Sequence, residues 1–389
     1  EQARKFRDFK MTEIPLGSRD DIHSGGGVGG EKSSPVAFPI PSEELGSVSI
    51  SPSGSFEAGS YQTFTLVYTA GKFGIDDSGS MRICFRFASD QTRPQFENPT
   101  GPNYTTIVAS NNAVLNYHYD PKGNVRPWDR TLYIKVVRGF LKEGDTITVK
   151  FGDKSKGSPG MRLQTFCEES YEFHTLVDPI ATYCYQPMPE QPTIKIVPGP
   201  AERFLAIGPT IRAVGEPFQI KIKGEDKWGN PTNLCDYEFD VVSTCKIKGL
   251  PKKVTLKPGE FTATLSDLRV QTAEDFTVEF TNDVNNIAFE TNPIRIEEKP
   301  QSRHFWGDLH GQSEETIGTN SAEAYFKFAR DLAFVDVSGH QGNDFQITTD
   351  FWKHLDELCK KFNQDGKFIA IPGYEWSGNT GLGGDRNIY

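Results

Sequence analysis

From about residue 46 to residue 298, apolar and polar side chains alternate one by one in run after run, as in SVSISPSGSF, TFTLVYTAG, RTLYIKVVRGF, DTITVKFGD and EPFQIKIKGE. A repeat of two suits a strand with one buried and one wet face; a helix, with its repeat of 3.6, cannot keep such a pattern on one side. Turn signals such as DDSG, DPKGN and KEGD break the runs at short intervals, so the chain is expected to fold back on itself in antiparallel sheets. The stretch YQPMPEQPTIKIVPGP, rich in proline, interrupts the alternation near residue 190 and marks a domain boundary. Two all-β sandwich domains are therefore expected, 46–192 and 193–298.

The second of these has the length and strand number of an immunoglobulin-like sandwich, and its DKWGNP turn resembles the D-x-x-GNP turn of bacterial immunoglobulin-like modules. Ahead of the first lies a Gly/Ser-rich arm, 1–45, carrying SGGGVGGEKSSP. Past residue 298 the grammar changes. SAEAYFKFAR and TTDFWKHLDELCKKF have helical spacing, while LAFVDVS and KFIAIPGYEW read as buried strands, so 299–389 is expected to be an α/β segment with parallel pairing. Asn320 and Glu323 suggest a capping arrangement for the first helix, with Glu314 and Glu315 near its positive end.

The chain has 42 basic and 52 acidic residues, a net charge of −10, and no basic run, which argues against a nucleic-acid or anionic-membrane partner. No stretch reaches the roughly 18 apolar residues of a spanning helix. The six cysteines include no C-x-x-C pair and read as buried hydrophobes rather than a disulfide framework. A soluble, cytoplasmic protein is the simplest expectation; a processed leader would leave no trace, so the periplasm stays open. Aromatic residues, 12% of the chain, read as core rather than a sugar platform. His23, His118 and His174 are assigned no role.

In α/β folds, polar side chains that follow parallel strands converge on one face. Asp308, His310 and Gln312 follow the first strand; His340, Asn343 and Asp344 the second; Glu375 the third; Asp385, Arg386 and Asn387 come after the stretch GNTGLGG. Mixed histidine and carboxylate ligands suit zinc, manganese or iron. Taken singly, each of these residues also has a bland reading, as a loop aspartate, a satisfied structural histidine or a salt-bridged glutamate.

At these positions GDLHGQS resembles the D-L-H-x-H-T motif of the PHP family, the polymerase and histidinol phosphatase metal-dependent hydrolases. DVSGHQ resembles the strand ending in T-D-H and PGYEW the strand ending in P-G-x-E, while GGDRN resembles the G-G-H-R-N of a PHP-like bacterial family. The resemblance covers about residues 303–389. It implies a distorted (β/α) barrel, here incomplete, holding divalent metal through His310, His340, Glu375 and Asp385. Asp308, Asp344 and Arg386 are the implied catalytic residues, the aspartates moving a proton and Arg386 holding a substrate anion. Gln312 and Gly339 stand where the family has a histidine and an aspartate, which reduces the expected complement to one or two ions.

The expected function is a metal-dependent hydrolase that uses metal-activated water on a phosphoester or another small anionic molecule. A C-terminal segment or a second chain is expected to complete the barrel, and a homo-oligomer is possible. The alternatives are a non-catalytic binding or scaffold protein that keeps a degenerate PHP-like domain as architecture, and a metal-dependent lyase or amidohydrolase.

Overall fold

The computed structural model describes residues 40–378 and 380–389. The expected arm therefore lies almost wholly outside the described residues. The chain forms two compact units, one ending at Ile196 and the other beginning at Val197. The boundary falls within the proline-rich stretch, a few residues past the expected 192, because the strand Thr193–Val197 pairs antiparallel with Glu168–Glu172 of the first unit.

The first unit is a sandwich of antiparallel sheets. One sheet runs in the order Gly46–Ser51, Phe64–Ala70, Thr146–Phe151, Thr106–Ala109; the other runs Gln186–Pro187, His174–Asp178, Ser80–Phe85, Arg130–Arg138, Val114–Asp120. The period of two is realised in the register: Phe64 faces Phe151, Leu66 faces Val149 and Tyr68 faces Ile147, all six buried. From the other sheet Met81, Ile83, Phe85, Leu132 and Ile134 meet them. Phe85, Phe151 and Phe173 pack with ring centroids 5.6–5.8 Å apart; each such pair adds about 0.5–1.5 kcal/mol to simple burial. Ser80–Phe85, like its neighbour His174–Asp178, is buried at every position. Its outer face is covered by a second, smaller cluster of Cys84, Leu176 and Tyr185, with Trp128 and Tyr133 against it.

The second unit begins with a further sandwich. Arg203–Ile207, Phe218–Glu225 and Thr262–Leu268 form one layer, and Lys253–Leu256, Tyr237–Ser243, Val278–Asn282 and Ile287–Glu290 another, enclosing Phe204, Ile220, Ile222, Phe239 and Phe280. In the DKWGNP turn the buried Asp226 carboxylate accepts from the backbone of Trp228 and Asn230 and from the Asn230 side chain. The turn is thus held by one aspartate bonding its own loop.

The α/β segment of this unit has the predicted parallel core, with Val337–His340 between Gly307–Gly311 and Ile369–Ile371. Helices α1 (Ala322–Asp331) and α2 (Thr349–Phe362) bury Phe326, Leu355, Leu358 and Phe362 with Phe368 and Ala370 of the sheet. The cap of α1 is Ser321, whose hydroxyl accepts from Ala324 N–H, and the Glu315 carboxylate takes the N–H of Ala322. Asn320 instead adopts a left-handed conformation, and Glu323 pairs with Lys361 across to α2. The other end of α1 is tied to the sandwich: Lys223 Nζ donates to the Leu332 carbonyl at 2.8 Å and Lys221 Nζ to that of Arg330 at 3.4 Å, cations on the negative end of the helix.

The incomplete α/β barrel is corrected here. Strands dominate the described residues, and α1 and α2 are their only α-helices. After Tyr374–Trp376, which pairs in parallel with Gly342–Asn343, the next strand, Arg386–Ile388, returns antiparallel. Nine residues separate Trp376 from Arg386, fewer than the dozen or so that a parallel crossover requires. The segment closes into a hairpin where a barrel needs another strand–helix unit.

Candidate functional site

The strand ends gather some of the predicted residues and separate others. Glu375, its side chain 13% exposed, is the centre of the cluster. Its carboxylate accepts from Asn343 Nδ2 at 2.9 Å and Gln312 Nε2 at 3.2 Å, and His310 Nε2 stands 3.7 Å away. Asn387, opposite Glu375 in the hairpin, places its amide 3.1 Å from His310 Nδ1. With that amide donating, Nδ1 is the acceptor and the imidazole proton sits on Nε2, facing the carboxylate.

His340 is turned to other partners. It is fully buried, its Nε2 lies 2.8 Å from Ser313 Oγ, and its Nδ1 takes the Gly342 N–H at 3.3 Å. Both ring nitrogens are engaged, which sets the proton on Nε2 as donor to Ser313. Burial lowers its pKa to about 4, the nearby Glu315 acting weakly in the opposite direction. Asp308 is exposed and accepts from the N–H of His310; Asp344 accepts from Phe345 and Ser377 N–H groups. Asp385 is exposed, and Arg386 lies over the ring of Trp376 with its Cζ 5.6 Å from the centroid.

These residues fit one another rather than an ion. Among the described residues no group of three or more histidine, cysteine, aspartate or glutamate side chains is placed to hold a metal. Amides from Gln312 and Asn343 both donate to Oε2 of Glu375, and His340 presents no free nitrogen. The expectation of a metal-binding hydrolase or phosphoesterase is corrected accordingly, and no reaction step is derived for the site.

No family model matches the chain. It is 24% identical over 257 residues to an uncharacterised protein of Chlamydia pneumoniae, an alignment covering 64% of this chain and 41% of the relative. A protein of Chlamydia trachomatis is 23% identical over 266 residues, with 66% and 42% covered. The chain thus spans well under half the length of the curated relatives it matches. Among solved structures it is similar to the D0-D1 domain of intimin, with 10% identity, 64% of this chain and 97% of that one covered, and a TM-score of 0.20. It is also similar to the Yersinia pseudotuberculosis adhesin InvE, with 10% identity, 69% and 61% covered, and a TM-score of 0.21. No helix among the described residues is long and apolar enough to cross a membrane.

A second site, in the first unit, went unnoticed in the sequence. Across the five-stranded sheet Leu176, Arg82, Tyr133 and His118 stand opposite one another, and two residues along so do His174, Cys84, Thr131 and Asp120. Both rows point outward, because the alternate positions Met81, Ile83, Leu132 and Ile134 fill the core. Tyr185 covers the Arg82 guanidinium at 3.8 Å and is fixed by a 2.6 Å hydroxyl contact with Ser80. Arg82 Nη1 donates to Asn124 Oδ1 at 3.1 Å, which ties the 121–129 loop to the sheet. Gly123 lets that loop come close: a Cβ there would sit 2.9 Å from the Thr131 side chain.

The opposite wall is the loop after Asp178. The buried Asp178 carboxylate accepts from Thr182 N–H and hydroxyl and, at 2.6 Å, from Tyr183 N–H, holding Ala181 and Tyr183 at positive φ. The result is a cavity of about 230 Å3 lined by Arg82, His118, Asp120, Tyr133, Tyr183 and Tyr185, with Tyr183 58% exposed at its lip. One signal was present in VLNYHYD: with Leu115, Tyr117 and Tyr119 inward, Asn116, His118 and Asp120 must face out.

Proposed function

We propose that the chain is a recognition protein built on β-domains, and that the outer face of the five-stranded sheet in the first unit is its binding surface. The α/β segment is then architecture clamped to the second sandwich. The observation that carries this reading is the preformed cavity: charged, aromatic and hydroxyl groups converge on a rigid sheet and are held by Asp178, Asn124 and Ser80 before any ligand arrives. Concave sites of this kind, with few and well-fixed polar groups, are where small ligands and side chains of partners seat, and preorganisation lowers the entropy lost on binding.

The test is hydrogen-exchange footprinting of the full chain against a library of polar and aromatic fragments. Protection confined to residues 118–133 and 179–186 is the expected result. Protection centred instead on residues 308–313 and 374–387 overturns the proposal and returns the site to the strand ends.

A further inference from the structure

Resting on that reading of the outer sheet face, we propose that the cavity takes one pyranose ring of an uncharged glycan. Charge comes first. The lining carries the Arg82 guanidinium and the Asp120 carboxylate together, so a ligand with a full charge of either sign meets its own sign inside the same small space. A neutral molecule rich in hydroxyls meets no such penalty: Arg82 offers a donor edge, Asp120 offers acceptors, and His118 serves as either. The Asp120 carboxylate suits an adjacent pair of hydroxyls, because its two oxygens can each accept one.

The aromatic lining points the same way. One face of a pyranose is a set of C–H groups, apolar beside its hydroxylated rim. Tyrosine has the matching character, a flat apolar body with a polar tip. Tyr185 is already covered by Arg82, and Tyr133 leans on His118 with centroids 5.2 Å apart. Tyr183 at the lip is left as the platform: it is the most exposed of the three rings, and its backbone is clamped by Asp178. A volume of about 230 Å3 is below the roughly 300–1,000 Å3 of sites that enclose larger ligands, which limits the cavity to one ring with the rest of the chain outside.

The experiment is saturation-transfer NMR and calorimetry on the full chain with the methyl glycosides of glucose, galactose and mannose and with N-acetylglucosamine. Glucuronic acid and choline serve as charged comparators. At least one neutral sugar is expected to bind with a dissociation constant on the order of 1 mM. Tyr183→Ala and Asp120→Ala are each expected to weaken it at least about tenfold at an unchanged melting temperature, and His310→Ala to leave it unaltered. Binding of glucuronate or choline alone overturns the neutral sugar and keeps the recognition face. Silence toward every sugar, while footprinting still marks residues 118–133, also overturns only the ligand class. Silence in both experiments overturns the class and the face together.

Discussion

Two polar clusters in this chain are built from the same kinds of side chain and arranged to opposite ends. At the strand ends of the α/β segment, Gln312, Asn343, Asn387, His310 and Glu375 turn toward one another and hydrogen-bond within the cluster. On the outer sheet face of the first unit, the partners of Arg82 and Tyr185 hold those groups in place from the side, and the polar edges converge on open space. Residue type alone does not separate a displayed group from a satisfied one; the direction of its partners does. If that contrast holds, substitutions in the α/β segment change stability and leave recognition alone, whereas substitutions around the cavity do the reverse.

The largest effect is expected at Lys223. Its side chain is 9% exposed and pairs at 2.8 Å with Glu225, 5% exposed, while also donating to the C-terminal end of α1. Lys223→Ala leaves a buried carboxylate with a weaker partner shell and frees the helix end, a cost of about 3–5 kcal/mol. Chemical denaturation followed by tryptophan fluorescence checks this, and sugar affinity at the first unit should not change. A loss of affinity at full folding would break the division between the two regions.

Next comes His340. Its folded pKa of about 4 lies below the ordinary value of 6.5, so the unfolded chain binds the proton more readily than the folded one. The stabilisation is fully present above pH 6.5 and is lost as pH falls toward 4; a shift of this size corresponds to about 3 kcal/mol. Melting temperatures measured from pH 7 to pH 4 should show the decline, and His340→Gln should flatten it relative to the parent chain. An unaltered slope in the variant would show that His340 does not titrate as a buried neutral base.

Asp178 tests the other region. Asp178→Ala removes three hydrogen bonds that fix the loop carrying Tyr183. Two donors left partly buried cost about 1–3 kcal/mol, and Tyr183, no longer held at positive φ, should drift from the lip. The expected signature is a larger fractional loss of sugar affinity than of stability, read by calorimetry beside thermal melts.

The sequence carries these regions unequally. The sandwiches were legible because a period of two leaves one face for the core, and Phe64, Leu66 and Tyr68 lie where the alternation puts them. The parallel core of the α/β segment was legible for a similar reason, in short apolar strands separated by amphipathic helices. The barrel was not, because motif order alone does not reveal whether Arg386–Ile388 runs on in parallel or folds back, and the short connection from Trp376 decided it. His340 looked like a ligand because Ser313 and Gly342, which occupy its nitrogens, are identified as partners only once the fold is known. His118 was passed over for the converse reason: Tyr183 and Tyr185, which turn its row into a cavity, come from a loop some sixty residues further on.

Glu375 gives the smallest and most discriminating effect. It was predicted to bind metal, yet its carboxylate accepts two amide hydrogen bonds and faces one imidazole 3.7 Å away. Glu375→Gln keeps the shape and can keep its acceptor oxygen in the Oε2 position, toward which both amides and His310 Nε2 already point. The network therefore has a neutral arrangement available, and the cost should stay within about 1 kcal/mol. A ligand that depends on charge would not tolerate the same change, because an amide carries none. Stability of the variant within that margin, together with unchanged sugar affinity, places Glu375 among groups that hold the hairpin to the sheet. A loss well beyond it, with zinc or manganese raising the melting temperature of the parent chain but not of the variant, would show that the carboxylate is held for an ion and that the two clusters have been ranked the wrong way round.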